Sequence, residues 1–285
     1  MNRFFDRLAY LAVLFALIYA SSSYLQFPQQ EEAGRRPSIR FAEPPPESRG
    51  PAIAPGAQVV TIQVPEKQPS TGTAFAIGGG WWLTARHVAD GCDAIGLITG
   101  PRQAARAQQV VIHPNADLAL LSLRLDPEPF PFLTEALQRG QDGFAIGYPQ
   151  GSPGDVHAQL MGRVRLKSVG RYRTDEPILA WAERRRVPDN LPALGGLSGG
   201  PMFNERGQII GVLVAASERR GRVMTSDPSS VRWLLHQAGL RPDPNARTID
   251  LAVSNFVGQG NDLREDFRVA KVICNVKRSS RRRRL

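Results

Sequence analysis

From about Ala57 onward the apolar positions fall in short runs: VVTIQV, TAFAIG, WWLTA, AIGLIT, QVVI, LALLSLRL, GFAIGY, AQLMGRVRLKSV, PILAWAE and QIIGVLVAA. Glycine, proline and asparagine separate them at close intervals, and no long helices alternate with them. Many short β-prone runs bounded by turn residues predict an all-β sandwich or a pair of barrels. One helix is expected late. Asp227 can cap it, Pro228 suits its first position, and Val231, Leu234, Leu235 and Ala238 share one face before Gly239 ends it. Beyond Asp250, DLAVSNFVGQ and FRVAKVICNVK read as two further strands.

The ends have a different texture. Residues 8–20 are apolar and uncharged, with Arg3 and Arg7 before them, and the uncharged stretch runs on to Phe27. That is about the length needed to span a bilayer. An uncleaved signal anchor over 1–27 is the expectation, with a cleaved secretory signal or a buried core helix as alternatives. The flanking arginines favour the N-terminus inside. Residues 28–57 mix proline, glycine and charge with no hydrophobic period, which is the pattern of a tether. The expected organisation is therefore an anchor at 1–27, a Pro-rich linker at 28–57, a main domain at 58–245 and a C-terminal extension at 246–285 ending in a basic tail.

Charge and composition refine this picture. The net charge of +10 on 285 residues points first to an anionic partner. Six of those charges lie in residues 277–285, leaving a nearly balanced body, so no specific nucleic acid is expected. The tail reads as a solvated segment or as a contact with an anionic surface. Two cysteines exclude a disulfide-rich scaffold and a four-cysteine zinc site. Cys92 and Cys274 remain either a pair fastening the C-terminal stretch to the first barrel or two separate thiols.

Three segments carry candidate chemistry: TARHV with His87, DLALL with Asp117, and GGLSGGP with Ser198. A serine hydroxyl is a poor nucleophile at neutral pH and needs a base within reach. Histidine suits that role, and a buried carboxylate can fix its tautomer and stabilise the imidazolium. Glycines beside the serine let backbone N–H groups converge on an oxyanion. The order His, Asp, Ser is one of the known orders of this arrangement. His113 reads as structural, and His157 and His236 as filler without partners.

From about Thr71 to Leu240 the sequence resembles the trypsin-fold serine proteases, in particular the bacterial HtrA/Deg-like branch. TGTAFAIGGGWWLTARHVADGC, HPNADLALLSL, GFAIGYPQG and GLSGGPMFNERGQIIGV carry the likeness. The resemblance implies a chymotrypsin-like fold: two six-stranded antiparallel β-barrels with a C-terminal helix, here preceded by the N-terminal membrane-anchor helix. It implies His87 as general base, Asp117 as its orienting partner and Ser198 as nucleophile. It also implies an oxyanion hole from the N–H groups of Gly196 and Ser198, with Val214, Ala215 and Ala216 pairing substrate backbone as an added strand.

Departures matter as well. Leu197 stands where digestive relatives carry the aspartate of their zymogen switch. No PDZ-like module is expected after the protease. The position of a basic-specific pocket aspartate is Pro192, and Leu194, Ala215 and Ala216 suggest a small or aliphatic pocket. The expected function is a serine endopeptidase that needs no cofactor. It would act on protein or peptide substrates, held at a bacterial inner membrane with its domain in the periplasm, or secreted if the signal is cleaved. A catalytically silent binding or sensor module of the envelope is the alternative.

Overall fold

The computed structural model describes residues 39–40, 58–243 and 245–277. The expected anchor, most of the tether and residues 278–285 of the tail lie outside these. Among the described residues no helix is long and apolar enough to cross a membrane.

The strands form two curled sheets. The first runs β1 (Ile39–Arg40), β7 (Gln109–Ile112), β8 (Ala119–Ser122), β4 (Trp81–Thr84), β3 (Ser70–Gly78), β15 (Val269–Asn275), β5 (Ala94–Gly100), β6 (Gln103–Arg106). The second runs β11 (Thr174–Val187), β14 (Arg222–Ser226), β13 (Ile209–Ser217), β12 (Pro201–Phe203), β9 (Asp142–Gly147), β10 (Gly154–Gly170), β2 (Val59–Val64). An extra pairing of β10 with β11 closes six of these strands into a ring. The sheets thus hold eight and seven strands instead of six each, and they are not wholly antiparallel. β1 runs parallel to β7, and β2 parallel to β10. Flanking segments supply the extra strands, satisfying N–H and C=O groups that a sheet edge would otherwise leave open.

Alternation along the strands sorts side chains between three cores. In β3, Ala74 and Ala76 face the first barrel with Trp82 and Leu97, while Phe75 and Ile77 face a shared cluster containing Phe130, Phe144 and Phe203. The second barrel is filled around Trp181, Leu179 and Met202. β15 repeats the pattern: Val269 joins the shared cluster, and Ala270 and Val272 join the first barrel.

Two helices dock on the shared cluster. α1 is only the single turn Arg86–Ala89 after β4. α2 (Pro228–Gln237) has Asp227 accepting from Ser229 N at 2.9 Å and buries Val231, Leu234 and Leu235. α3 (Phe256–Glu265) replaces the strand expected within 250–259. Its buried residues Phe256, Gly260 and Leu263 fall at helical spacing, so this stretch finds its core with one helical face instead of alternating sides. Arg264 of α3 then forms a buried two-pronged pair with Asp155 of β10, at 2.7 and 3.0 Å. Cys92 and Cys274 are joined by a disulfide across 182 positions, fastening β15 beside the segment that follows α1. Closing a loop of that length contributes about 2–5 kcal/mol.

Candidate active site

β4 delivers the chain into α1, and this single turn presents His87. Asp117 sits just before β8, which pairs with β4, so the sheet register brings the two together. His87 N donates to Asp117 Oδ1 at 2.8 Å, and His87 Nδ1 lies 2.7 Å from Asp117 Oδ2. With the carboxylate ionised, Nδ1 carries the proton and Nε2 is left with its lone pair. Asp117 is fully buried, whereas the His87 side chain keeps 30% of its surface exposed. Burial works to raise the Asp117 pKa. The charge of His87, its two hydrogen bonds and the Tyr172 hydroxyl outweigh that effect and hold it below the ordinary carboxylate value.

Several residues that the sequence did not single out support this pair. Tyr172 donates its hydroxyl to Asp117 Oδ1 at 3.1 Å, with the Arg86 guanidinium 4.0 Å over its ring. Glu176 Oε1 accepts from Asp117 N at 2.7 Å. Complete burial, together with the Asp117 charge, pushes the Glu176 carboxyl well up. Lys67 Nζ donates to the carbonyls of His87 and Val88, both at 2.8 Å, and clamps the turn. Burial and the nearby Arg171 push that ammonium down to about 8.

Ser198 lies in the turn between β11 and β12, and it is partly buried. The first barrel grips this turn. Thr73 N donates to Ser198 O at 2.9 Å, and Thr73 Oγ1 donates to Gly196 O at 2.8 Å while accepting from Tyr148 N at 3.1 Å. Gln150 N donates to Gly195 O. Because a peptide unit is planar, holding that carbonyl also aims the Gly196 N–H. Gly196 has φ +96°, which suits glycine. At Gly199 a Cβ would come within 2.2 Å of both Thr73 O and Thr84 Oγ1, and within 2.9 Å of Ala85 N. The Ser198 turn is thus pressed against the segment leading to His87. The N–H groups of Gly196 and Ser198 donate to no other group among the described residues. Among these residues, too, no hydrogen bond joins Ser198 Oγ to His87, a contact that free enzymes often make only with substrate bound.

Beside Ser198 lies a cavity of about 240 Å³, lined by Leu194, Leu213, Ala215, Ala216 and Glu218. Val214 does not line it; its side chain packs with Leu166, Ile178 and Met224. β12 and the Gly199–Gly200 segment before it hydrogen-bond to β13 as far as Leu213, and among the described residues no strand pairs with that edge beyond it. Leu197 is buried in the second-barrel core.

Of the other three histidines, His236 is exposed on α2. His113 is buried and accepts from Asn115 N, and burial plus Arg86 push its pKa down to about 3. His157, expected to lack partners, is 2.8 Å from Asp142 Oδ1 and stacks on Phe144.

Residues 72–212 match the family model of the trypsin-like peptidase domain. The serine protease Rv3671c of Mycobacterium tuberculosis is 26% identical over 194 residues, covering 66% of this chain and 48% of that protein. A probable periplasmic serine endoprotease DegP-like of Marinomonas sp. is 30% identical over 175 residues, covering 59% of this chain and 35% of its own length. The chain therefore spans about half or less of these relatives. The crystal structure of the Rv3671c protease, active form, superposes with TM-score 0.51 at 21% identity, over 70% of this chain and 97% of that one. The likeness at that identity is one of fold. With curled double sheets, a buried Asp–His pair and a glycine-bounded serine turn, this chain carries a trypsin-like peptidase domain over residues 72–212.

Proposed function

We propose that the chain is a serine endopeptidase acting on extracytoplasmic proteins through an acyl-enzyme at Ser198. The observation that carries this reading is the His87–Asp117 pair held beside a serine turn whose Gly196 and Ser198 N–H groups are unclaimed among the described residues. A substrate strand adds to the open edge at Val214, Ala215 and Ala216, with its side chain in the cavity that Leu194 helps to line. Ser198 Oγ attacks the scissile carbonyl carbon, and its proton passes to His87 Nε2. Asp117 stabilises the imidazolium that results. The Gly196 and Ser198 N–H groups hold the oxyanion. As the C–N bond breaks, His87 returns the proton to the leaving amine. Water, deprotonated by His87, then releases the acyl group and restores the serine.

The Cys92–Cys274 disulfide supports an oxidising compartment, and with the apolar N-terminal stretch it favours a periplasmic domain tethered to the inner membrane. The basic tail is then free to meet an anionic surface. A second reading, a catalytically silent binding module, draws on the missing Ser198–His87 hydrogen bond. A fluorophosphonate probe separates the two. Labelling of the full chain that disappears in Ser198→Ala supports the peptidase. Equal labelling of both, or labelling of neither, defeats it.

A further inference from the structure

The aliphatic lining suggested by Leu194, Ala215 and Ala216 is incomplete, because one wall of the cavity beside Ser198 is a carboxylate. Glu218 lies in the turn Glu218–Arg220, directly after β13. Its Oε1 accepts from Leu194 N at 3.1 Å, so the side chain reaches from the β13 wall to the 194 wall of the same cavity. One hydrogen bond leaves most of the acceptor capacity of a carboxylate unused.

The cations nearest to Glu218 do not consume it. Arg186 feels its charge, but both arms of that guanidinium are committed to Glu183, at 2.5 and 2.8 Å, and Nη1 also donates to Leu191 O. Arg219 and Arg220 follow in sequence and are exposed, yet neither lines the cavity. The remaining named walls, Leu194, Leu213, Ala215 and Ala216, are apolar, and small residues on the strand side leave the space open. A long aliphatic stem ending in a cation matches such a lining: the stem packs on the apolar walls and the head meets the carboxylate.

We propose that Glu218 is the specificity-determining residue of this cavity and selects substrates with arginine or lysine on the acyl side of the scissile bond. This rests on the reading of Ser198 as nucleophile. A purely structural Glu218, bracing the 194 segment, would affect all substrates alike, so the discriminating quantity is a ratio between substrates.

In the full-length chain, kcat/KM is measured for matched peptides carrying Arg, Lys, Leu or Ala at that position. The expected result is at least a tenfold preference for Arg or Lys over Leu. In Glu218→Gln this ratio falls about tenfold, and in Glu218→Lys it inverts; a tenfold change corresponds to about 1.4 kcal/mol. A wild-type preference for Leu or Ala overturns the proposal, as does a ratio unchanged in Glu218→Gln. To separate the pocket from the chemistry, the same Arg- and Leu-bearing peptides are titrated into full-length Ser198→Ala. Tighter binding of the Arg peptide, lost with Glu218→Gln added, supports the pocket assignment even if fluorophosphonate labelling fails. Equal binding of the two peptides overturns it even if labelling succeeds.

Discussion

Replacing Thr73 by valine keeps the shape of the side chain and exchanges for a methyl group the hydroxyl that joins two parts of the site. That oxygen donates to Gly196 O at 2.8 Å and accepts from Tyr148 N at 3.1 Å. Tyr148 leads into the turn whose Gln150 N holds Gly195 O, so both peptide units around Gly196 depend on Thr73. Two hydrogen bonds of ordinary worth and a stranded N–H give a stability loss of about 2–3 kcal/mol. Loss of one oxyanion donor costs up to about 10²–10³ in kcat. Here the donor is loosened and not deleted, so a fall in kcat of about 10–100-fold is expected, with KM little changed. Urea denaturation reads the first quantity and peptide hydrolysis the second. Thr73→Ser retains the hydroxyl and should recover most of kcat. A valine variant that loses stability yet turns over at the wild-type rate would refute the coupling, leaving Thr73 with a role in packing only.

Two further outcomes follow from buried groups. Tyr172→Phe withdraws a hydroxyl from Asp117 Oδ1, which leaves more of the carboxylate charge acting on His87. Asp117 then loses one of the groups that hold its pKa down, and kcat should fall severalfold; an unchanged kcat would show that Tyr172 only fills space. His113 has its pKa pushed from the ordinary 6.5 to about 3 in the folded chain. Above about pH 6.5 this residue makes stability no more pH-dependent. Below it the unfolded chain takes up a proton that the folded chain refuses, so stability falls toward pH 3 by up to about 1.4 kcal/mol per pH unit. Denaturation at a series of pH values should show this slope in the wild type and a flatter one in His113→Asn, and equal slopes would dismiss His113 as the source.

Local signals made part of this structure legible. The short β-prone runs of β3 and β13 mark strands, and Asp227-Pro228 followed by Val231, Leu234 and Leu235 marks α2, because each signal lies within one element. The segments around His87, Asp117 and Ser198 stand out for the same reason. Tyr172 and Glu176 do not, since they reach Asp117 from 55 and 59 positions away, and Thr73 meets Gly196 across 123. Nothing near any of these residues announces a partner that only sheet pairing supplies. α3 hides because its apolar residues are few, and Phe256 beside Val257 looks like a fragment of strand until Gly260 and Leu263 are placed on the same buried face. Glu218 carries no local signal either, because its meaning depends on Leu194, which sits on the opposite wall.

The position of β15 between β3 and β5 has a consequence for biogenesis. The strands on either side are complete within the first hundred residues, yet the gap between them waits for residues 269–275. A nascent chain that has already emerged past His87, Asp117 and Ser198 still lacks the middle of its first barrel. Such long-range pairing must follow, and cannot accompany, synthesis of the earlier strands. The sheet that carries His87 and Asp117 is therefore closed only once residues 269–275 have been delivered, some seventy positions after Ser198.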